Sequence, residues 1–79
     1  MKVLNEKHWS YILMEKNGSW ILTFLVRIGP VENDVSVVLT NDEVDSIKAD
    51  ISNIEKVLSD LRNDRTLYSD REIKPPVWP

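Results

Sequence analysis

The chain has 79 residues, a formal net charge of −3 at pH 7 and no cysteine. A domain of this length buries about 60% of the surface of its unfolded form, and without cysteine it has neither a disulfide nor a thiolate zinc site. The acidic balance argues against nucleic-acid binding, which normally needs a clustered basic surface. No apolar run approaches the roughly 20 residues of a membrane-spanning helix. We therefore expect a cytoplasmic protein without a nucleic-acid or membrane partner.

The first clear element in chain order is a hairpin around Asn17-Gly18. A tight type I′ turn needs a positive φ at both central residues, and this dipeptide is the strongest short signal for it. We predict strands over about 8–16 and 19–28. With a two-residue turn, the numbers of paired residues add to 35.

This register gives the hairpin two apolar faces. The first, the aromatic face, carries Trp9, Tyr11, Leu13, Trp20, Leu22, Phe24 and Val26. The second face carries Ser10, Ile12, Met14, Ile21, Thr23 and Leu25. A single helix buries only one face, so the sequence leaves open what covers the other.

After the hairpin we predict a connection over 29–34, a third short strand over about 35–40 and one helix over about 41–62. Thr40 and Glu43 match a capping box at the start of this helix. Apolar residues then recur at steps of three and four and form one stripe. Its members are Val44, Ile47, Ile51, Ile54, Leu58 and Leu61, with Val57 at the margin. We expect this stripe to cover the aromatic face.

The chain ends in a C-terminal arm over about 65–79. Three prolines among its last five residues favour an extended, polyproline-like backbone. We expect the arm to fold back, with Ile73 and Trp78 against the sheet. The alternative is a free recognition peptide with Trp78 as its anchor.

The sequence therefore predicts one small α+β domain over residues 1–79. It combines an antiparallel three-stranded sheet, made of the hairpin and a third strand, with one long amphipathic helix packed on one sheet face. An extended, proline-rich C-terminal arm completes the chain.

No motif in the chain states an activity. His8 and Ser10 could serve as a base and a nucleophile, but no acid is assigned to orient the histidine. Asp42, Glu43 and Asp45 could bind a divalent cation in a cleft, although their place in a first helical turn explains them. Only two glycines occur, too few for a phosphate-binding loop. We predict no catalytic residue, metal or cofactor.

We instead expect a non-enzymatic protein-interaction module that binds a partner through an exposed sheet face or edge, since an uncovered apolar patch commonly marks an interface. Its size and acidity suit a small bacterial immunity or antitoxin-type inhibitor. The alternatives are a self-associating homodimer or larger homo-oligomer and, more remotely, a small enzyme centred on His8. The expected partner-binding residues are Ile12, Met14, Ile21, Thr23, Leu25 and Trp78.

Overall fold

The computed structural model describes residues 2–7, 10–28 and 30–78. Five antiparallel strands form one sheet in sequence order: β1 (Lys2–Lys7), β2 (Tyr11–Lys16), β3 (Ser19–Ile28), β4 (Val31–Val38) and β5 (Glu72–Ile73). Between β4 and β5 lie α1 (Asn41–Ala49), α2 (Asn53–Asn63) and a 3₁₀ turn (Arg65–Leu67). The protein is therefore α+β. Within the described residues, no helix has the length and hydropathy needed to cross a membrane.

The hairpin has the predicted turn and the predicted register. Asn17 and Gly18 have φ angles of 53° and 82°, as a type I′ turn requires. β2 and β3 are paired along the whole of β2, and the numbers of their paired residues add to 35. The predicted pair of Trp9 with Val26 lies outside the described residues.

The prediction of a three-stranded sheet is wrong, because two further strands join its edges. β1 pairs with β2 through a bulge between Val3 and Asn5. All six of its residues are exposed or half-buried, so no clear apolar alternation marked it as a strand. β5 contributes only two residues, beside Ser36 and Val37 of β4, which is too short for any sequence pattern.

β4 also begins earlier than predicted, at Val31 rather than near residue 35. The polar run Glu32-Asn33-Asp34 has the composition of a turn, yet each of its residues pairs with β3. All three residues are exposed, and strand positions that face water readily carry polar side chains. The predicted connection over 29–34 therefore shrinks to the two residues between Ile28 and Val31.

The one long helix predicted over 41–62 is two helices. The Asp50 carboxylate accepts hydrogen bonds from the main-chain N–H of Ser52 at 3.0 Å and from its hydroxyl at 2.8 Å. The Asn53 side chain donates to a carbonyl in the last turn of α1 at 2.8 Å. Such local bonds compete with helical ones and satisfy the main-chain groups at the break. Ile51, predicted within the apolar stripe, is 55% exposed there.

The same bonds set the titration of Asp50. The Ser52 N–H, and then the Ser52 hydroxyl, hold the pKa of Asp50 below its ordinary value of 3.8. This contribution to stability is present above the pKa of the unfolded chain and is lost as the pH falls through the folded pKa. We expect Ser52→Ala to raise the Asp50 pKa only part of the way back, because the N–H remains. NMR titration of this carboxyl, with Ser59→Ala as the control, checks it; an unchanged pKa in Ser52→Ala contradicts a role for the hydroxyl.

The two helices cover the aromatic face, as the stripe predicted. Tyr68, beyond the predicted helix, joins this core and meets the Phe24 ring edge-to-face, with centroids 6.0 Å apart and an interplanar angle of 84°. Val57, expected at the margin of the stripe, is also buried. The buried cluster contains Tyr11, Leu13, Leu22, Phe24, Val35, Val37, Leu39, Ile47, Ile54, Val57, Leu58, Leu61 and Tyr68.

The predicted capping box of α1 is present, and it is linked to the start of the arm. The Thr40 hydroxyl accepts from the Glu43 N–H at 3.2 Å, and the Glu43 carboxylate accepts from the Thr40 N–H at 2.8 Å. The Arg71 guanidinium binds this carboxylate at 2.7 Å, the Val38 carbonyl at 3.0 Å and the Leu67 carbonyl at 2.8 Å. Arg71 therefore fixes the chain where it enters β5 and leads to the arm.

Candidate functional site

The second face is covered in its middle by the chain's own arm. The Val77 N–H donates to Ser36 Oγ at 2.7 Å, and Thr23 Oγ1 donates to the Val77 carbonyl at 2.8 Å. The two hydroxyl oxygens are 2.6 Å apart. The Val77 carbonyl is closer to Thr23 Oγ1, at 2.8 Å, than to Ser36 Oγ, at 3.5 Å. We therefore assign the Thr23 proton to this carbonyl and Ser36 as the donor between the two hydroxyls. These three hydrogen bonds close on themselves, and we call them the Thr23–Ser36–Val77 ring.

The ring explains how two hydroxyl groups are accommodated in an apolar face. Thr23 and Ser36 are paired neighbours on β3 and β4 and are both fully buried. A buried polar group without a partner costs about 1–3 kcal/mol, and here the main chain of the arm supplies the partners. The arm therefore folds back on the sheet, as expected, and main-chain atoms of Val77 make the contact.

Trp78, the next residue of the arm, is held in place while much of its surface stays open. Its indole Nε1 donates to Oδ2 of Asp34 on β4 at 3.0 Å. Trp78 nonetheless remains 42% exposed. Trp78 is therefore an anchored side chain that leaves apolar surface exposed at this end of the sheet.

Beside this tryptophan lies a cleft of about 320 Å³, which we call the Trp78 cleft. Ile12 and Leu25, half-buried residues of the second face, form its apolar floor. Its volume is near the lower end of the roughly 300–1,000 Å³ of small-molecule sites, which leaves room for a side chain of a partner. The complete lining is Glu6, Lys7, Ser10, Tyr11, Ile12, Leu25, Asp34 and Trp78.

The structure divides the six predicted partner-binding residues into two groups. Three line the Trp78 cleft: Ile12, Leu25 and Trp78. The other three are buried within this chain: Met14 at 0%, Ile21 at 4% and Thr23 at 0% exposed. The second face is thus closed from within over most of its length and is open only at the end where the cleft lies.

Two carboxylates at the cleft were missed by sequence reasoning. Glu6 lies on β1, directly opposite Ile12, and Asp34 lies on β4, directly opposite Leu25. β1 was not predicted as a strand, and Asp34 was assigned to a turn. Extending the alternation of β4 backwards from Ser36 would have placed Asp34 on the second face.

The cleft also contains two other ionisable groups. The Lys7 ammonium lies 3.2 Å from the carboxylate of Glu55 on α2, so it is directed to the helical side of the sheet. Burial, followed by the charge of Glu55, raises the pKa of the Tyr11 hydroxyl above its ordinary value of 10.0, while Lys7 lowers it. Tyr11 therefore remains neutral near pH 7.

The enzymatic hypothesis centred on His8 concerns a residue outside the described part of the chain. Within that part, no group of three or more His, Cys, Asp or Glu side chains is arranged to hold a metal ion. Comparisons with protein-family models, with curated proteins and with solved structures find no match to this chain. The geometry of the Trp78 cleft is therefore the basis on which a function can be assigned.

Proposed function

We propose that the chain is a non-enzymatic protein-interaction module that binds a partner protein through the Trp78 cleft. The observation that carries this proposal is the fixed position of an exposed tryptophan beside an apolar floor. The Thr23–Ser36–Val77 ring and the bond to Asp34 hold the indole before any partner arrives. Preorganisation lowers the entropic cost of binding, and tryptophan is enriched among the residues that dominate interface energies.

The placement of the two carboxylates supports the non-enzymatic part of the proposal. Glu6 and Asp34 lie on β1 and β4, which are three strand spacings apart in the sheet. Glu6 is in register with Ser36, and Asp34 lies two residues further along β4, so their backbones are separated by about 16 Å. The two carboxyl groups of a glycosidase, for comparison, lie roughly 5–9.5 Å apart. The carboxylates of this cleft are better placed to flank a ligand than to share one proton transfer.

The concrete role we propose is that of a small bacterial immunity or antitoxin-type inhibitor in the cytoplasm. The 79 residues predict one small domain, a size that suits an inhibitor with a single binding surface. The net charge of −3 favours approach to a basic partner through long-range attraction. The absence of cysteine fits a compartment in which disulfides do not form.

Self-association is the weaker candidate because of the charges on the exposed edge strand. β1 lies at one edge of the sheet, and a second copy could pair with it. If two β1 strands paired along their whole length in an antiparallel arrangement, however, Lys2 of each copy would lie opposite Lys7 of the other. Like charges directly opposite destabilise a strand pair, and lysine on an edge strand is a common device against such pairing.

The proposal is tested with a set of capped pentapeptides, Gly-Ser-X-Ser-Gly, in which X is each of the amino acids in turn. Binding at millimolar concentration is followed in ¹H–¹⁵N spectra of the full chain. We expect at least one class of X to give saturable shifts at the Trp78 indole and at the amides of Ile12 and Leu25. The Trp20 indole, on the aromatic face, serves as the internal reference and is expected to shift little.

Trp78→Ala is expected to weaken that binding by about tenfold or more, as is typical of a dominant interface residue. Ile51→Ala is the matched control, since Ile51 is also an exposed apolar residue but lies between the helices. It is expected to leave affinity unchanged. The proposal fails when no peptide shifts the three cleft signals, or when Trp78→Ala binds as tightly as the parent chain.

A further inference from the structure

The Trp78 cleft has an apolar floor with a carboxylate at each side. The strand register places Glu6 directly opposite Ile12 on one side, and Asp34 directly opposite Leu25 on the other. The two apolar residues belong to the adjacent central strands β2 and β3. Ile12 pairs with Thr23 and not with Leu25, so the two acidic–apolar pairs are offset by two residues along the strands. The acidic, apolar, apolar and acidic groups therefore cross the face on a diagonal.

The cations beside the cleft are bound to other groups. The Arg62 guanidinium donates to the Ser10 carbonyl at 3.3 Å. Lys7 is the cationic residue of the lining, and its ammonium is paired with Glu55 on the helical side of the sheet. Among the described residues, no ion pair joins the Glu6 carboxylate to another side chain. Asp34 accepts a hydrogen bond from the neutral indole of Trp78, which leaves its negative charge in place. The groups that flank the floor therefore carry net negative charge.

An exposed aromatic ring completes the arrangement. Trp78 lies beside the same floor and is hydrogen-bonded to Asp34. Tryptophan is the best aromatic partner for a cation near its ring face. A ligand group that contacts the apolar floor, the two carboxylates and the tryptophan ring needs an apolar stem and a cationic, planar end.

We infer that the Trp78 cleft receives an arginine side chain from a basic segment of the partner protein; this inference rests on the proposed function. Long basic side chains place their methylene stems on apolar surface and keep the charged end at the rim, here on Ile12 and Leu25. The guanidinium then lies between Glu6 and Asp34. Arginine is favoured over lysine because its planar end both stacks on aromatic rings and binds carboxylates with two parallel hydrogen bonds.

The inference is tested with three members of the peptide set, those with arginine, methionine and glutamate at X. We expect the arginine peptide to bind several-fold more tightly than the methionine peptide, and the glutamate peptide to give no saturable shift. Raising the salt concentration is expected to weaken the arginine peptide selectively, because surface charge interactions are screened.

Isosteric variants then identify the charges responsible. E6Q and D34N each remove one charge, and the asparagine oxygen still accepts the Trp78 indole hydrogen bond. Each is expected to weaken the arginine peptide about two- to fivefold, and the double variant about tenfold. D45N/D60N, exposed on the helices, removes the same two charges away from the cleft and is expected to bind nearly as the parent does.

The outcomes separate this inference from the proposed function. The basic occupant is ruled out if the methionine peptide binds as tightly as the arginine peptide at the three cleft signals. It is also ruled out if the E6Q/D34N variant binds the arginine peptide as tightly as the parent chain. Either result leaves the proposed interaction cleft in place. No saturable shift with any of the three peptides, together with no shift from the rest of the set, overturns both. Both the inference and the proposed function are supported if the arginine peptide binds most tightly and E6Q/D34N, but not D45N/D60N, weakens its binding.

Discussion

Replacing Tyr68 by alanine is expected to lower the free energy of unfolding by about 3–5 kcal/mol, the usual cost of removing a buried aromatic ring. Tyr68 is 1% exposed and packs edge-to-face on Phe24 between the sheet and the turn after α2. A domain of 79 residues has a total stability of only about 4–12 kcal/mol at the usual value per residue. Chemical denaturation followed by far-UV circular dichroism measures the loss.

Two further variants serve as controls for the Tyr68→Ala measurement. Leu67→Ala changes a neighbouring residue that is 48% exposed and is expected to change stability by no more than about 0.5 kcal/mol. Tyr68→Phe keeps the ring and is expected to fold even where Tyr68→Ala does not. A loss below about 1 kcal/mol in Tyr68→Ala, measured against these two, contradicts the place given to this ring in the core.

The second large effect is expected at the buried hydroxyl pair. Ser36→Ala removes the acceptor of the Val77 N–H and the donor to Thr23. The Val77 N–H is then left without a partner, while Thr23 keeps its bond to the Val77 carbonyl. We expect a loss of about 1–3 kcal/mol in stability. We also expect the Trp78 indole signal to move toward that of a solvent-exposed tryptophan, because the arm loses its main attachment.

A double-mutant cycle tests whether the hydroxyls act as one unit. Thr23→Val removes the other hydroxyl with little change of shape, and the double variant is expected to cost less than the sum of the two single changes. Ser59→Ala, an exposed serine of α2, is the matched control and is expected to have little effect. Strict additivity with an unmoved Trp78 signal argues against the Thr23–Ser36–Val77 ring.

Where local chemistry decides the structure, the sequence was informative. Asn17-Gly18 determines its turn through backbone φ angles alone, and a two-residue turn fixes the register of β2 and β3. The capping box of Thr40 and Glu43 is likewise a contact within four residues. Both predictions needed no knowledge of the rest of the chain, and both agree with the structure.

The errors arose where distant parts of the chain decide the structure. β1 is an exposed edge strand whose pairing with β2 gives it order, and β5 exists because the chain returns beside β4. The helix break is a different case, since Ile51 continues the apolar spacing. The apolar periodicity carries no information about the Asp50 carboxylate, which accepts a hydrogen bond from Ser52 in place of a helical one.

In the candidate site, too, the local pattern predicted some residues, while the others depend on distant strand pairing. The apolar floor, Ile12 and Leu25, followed from the alternation of the hairpin. Trp78 was identified as a solitary aromatic in a proline-rich end. Glu6 and Asp34 could not be assigned to the cleft, because their positions depend on strands that the sequence pattern did not reveal.

The way the arm is attached has a consequence for how this protein could diversify. The arm is anchored through the Val77 N–H and carbonyl, groups that almost every amino acid possesses. The fold can therefore keep its anchor while the exposed residue at position 78 changes freely. Under the proposed function, exchanging the side chain at position 78, together with the acidic residues beside it, would redirect the cleft to a new partner without rebuilding the core.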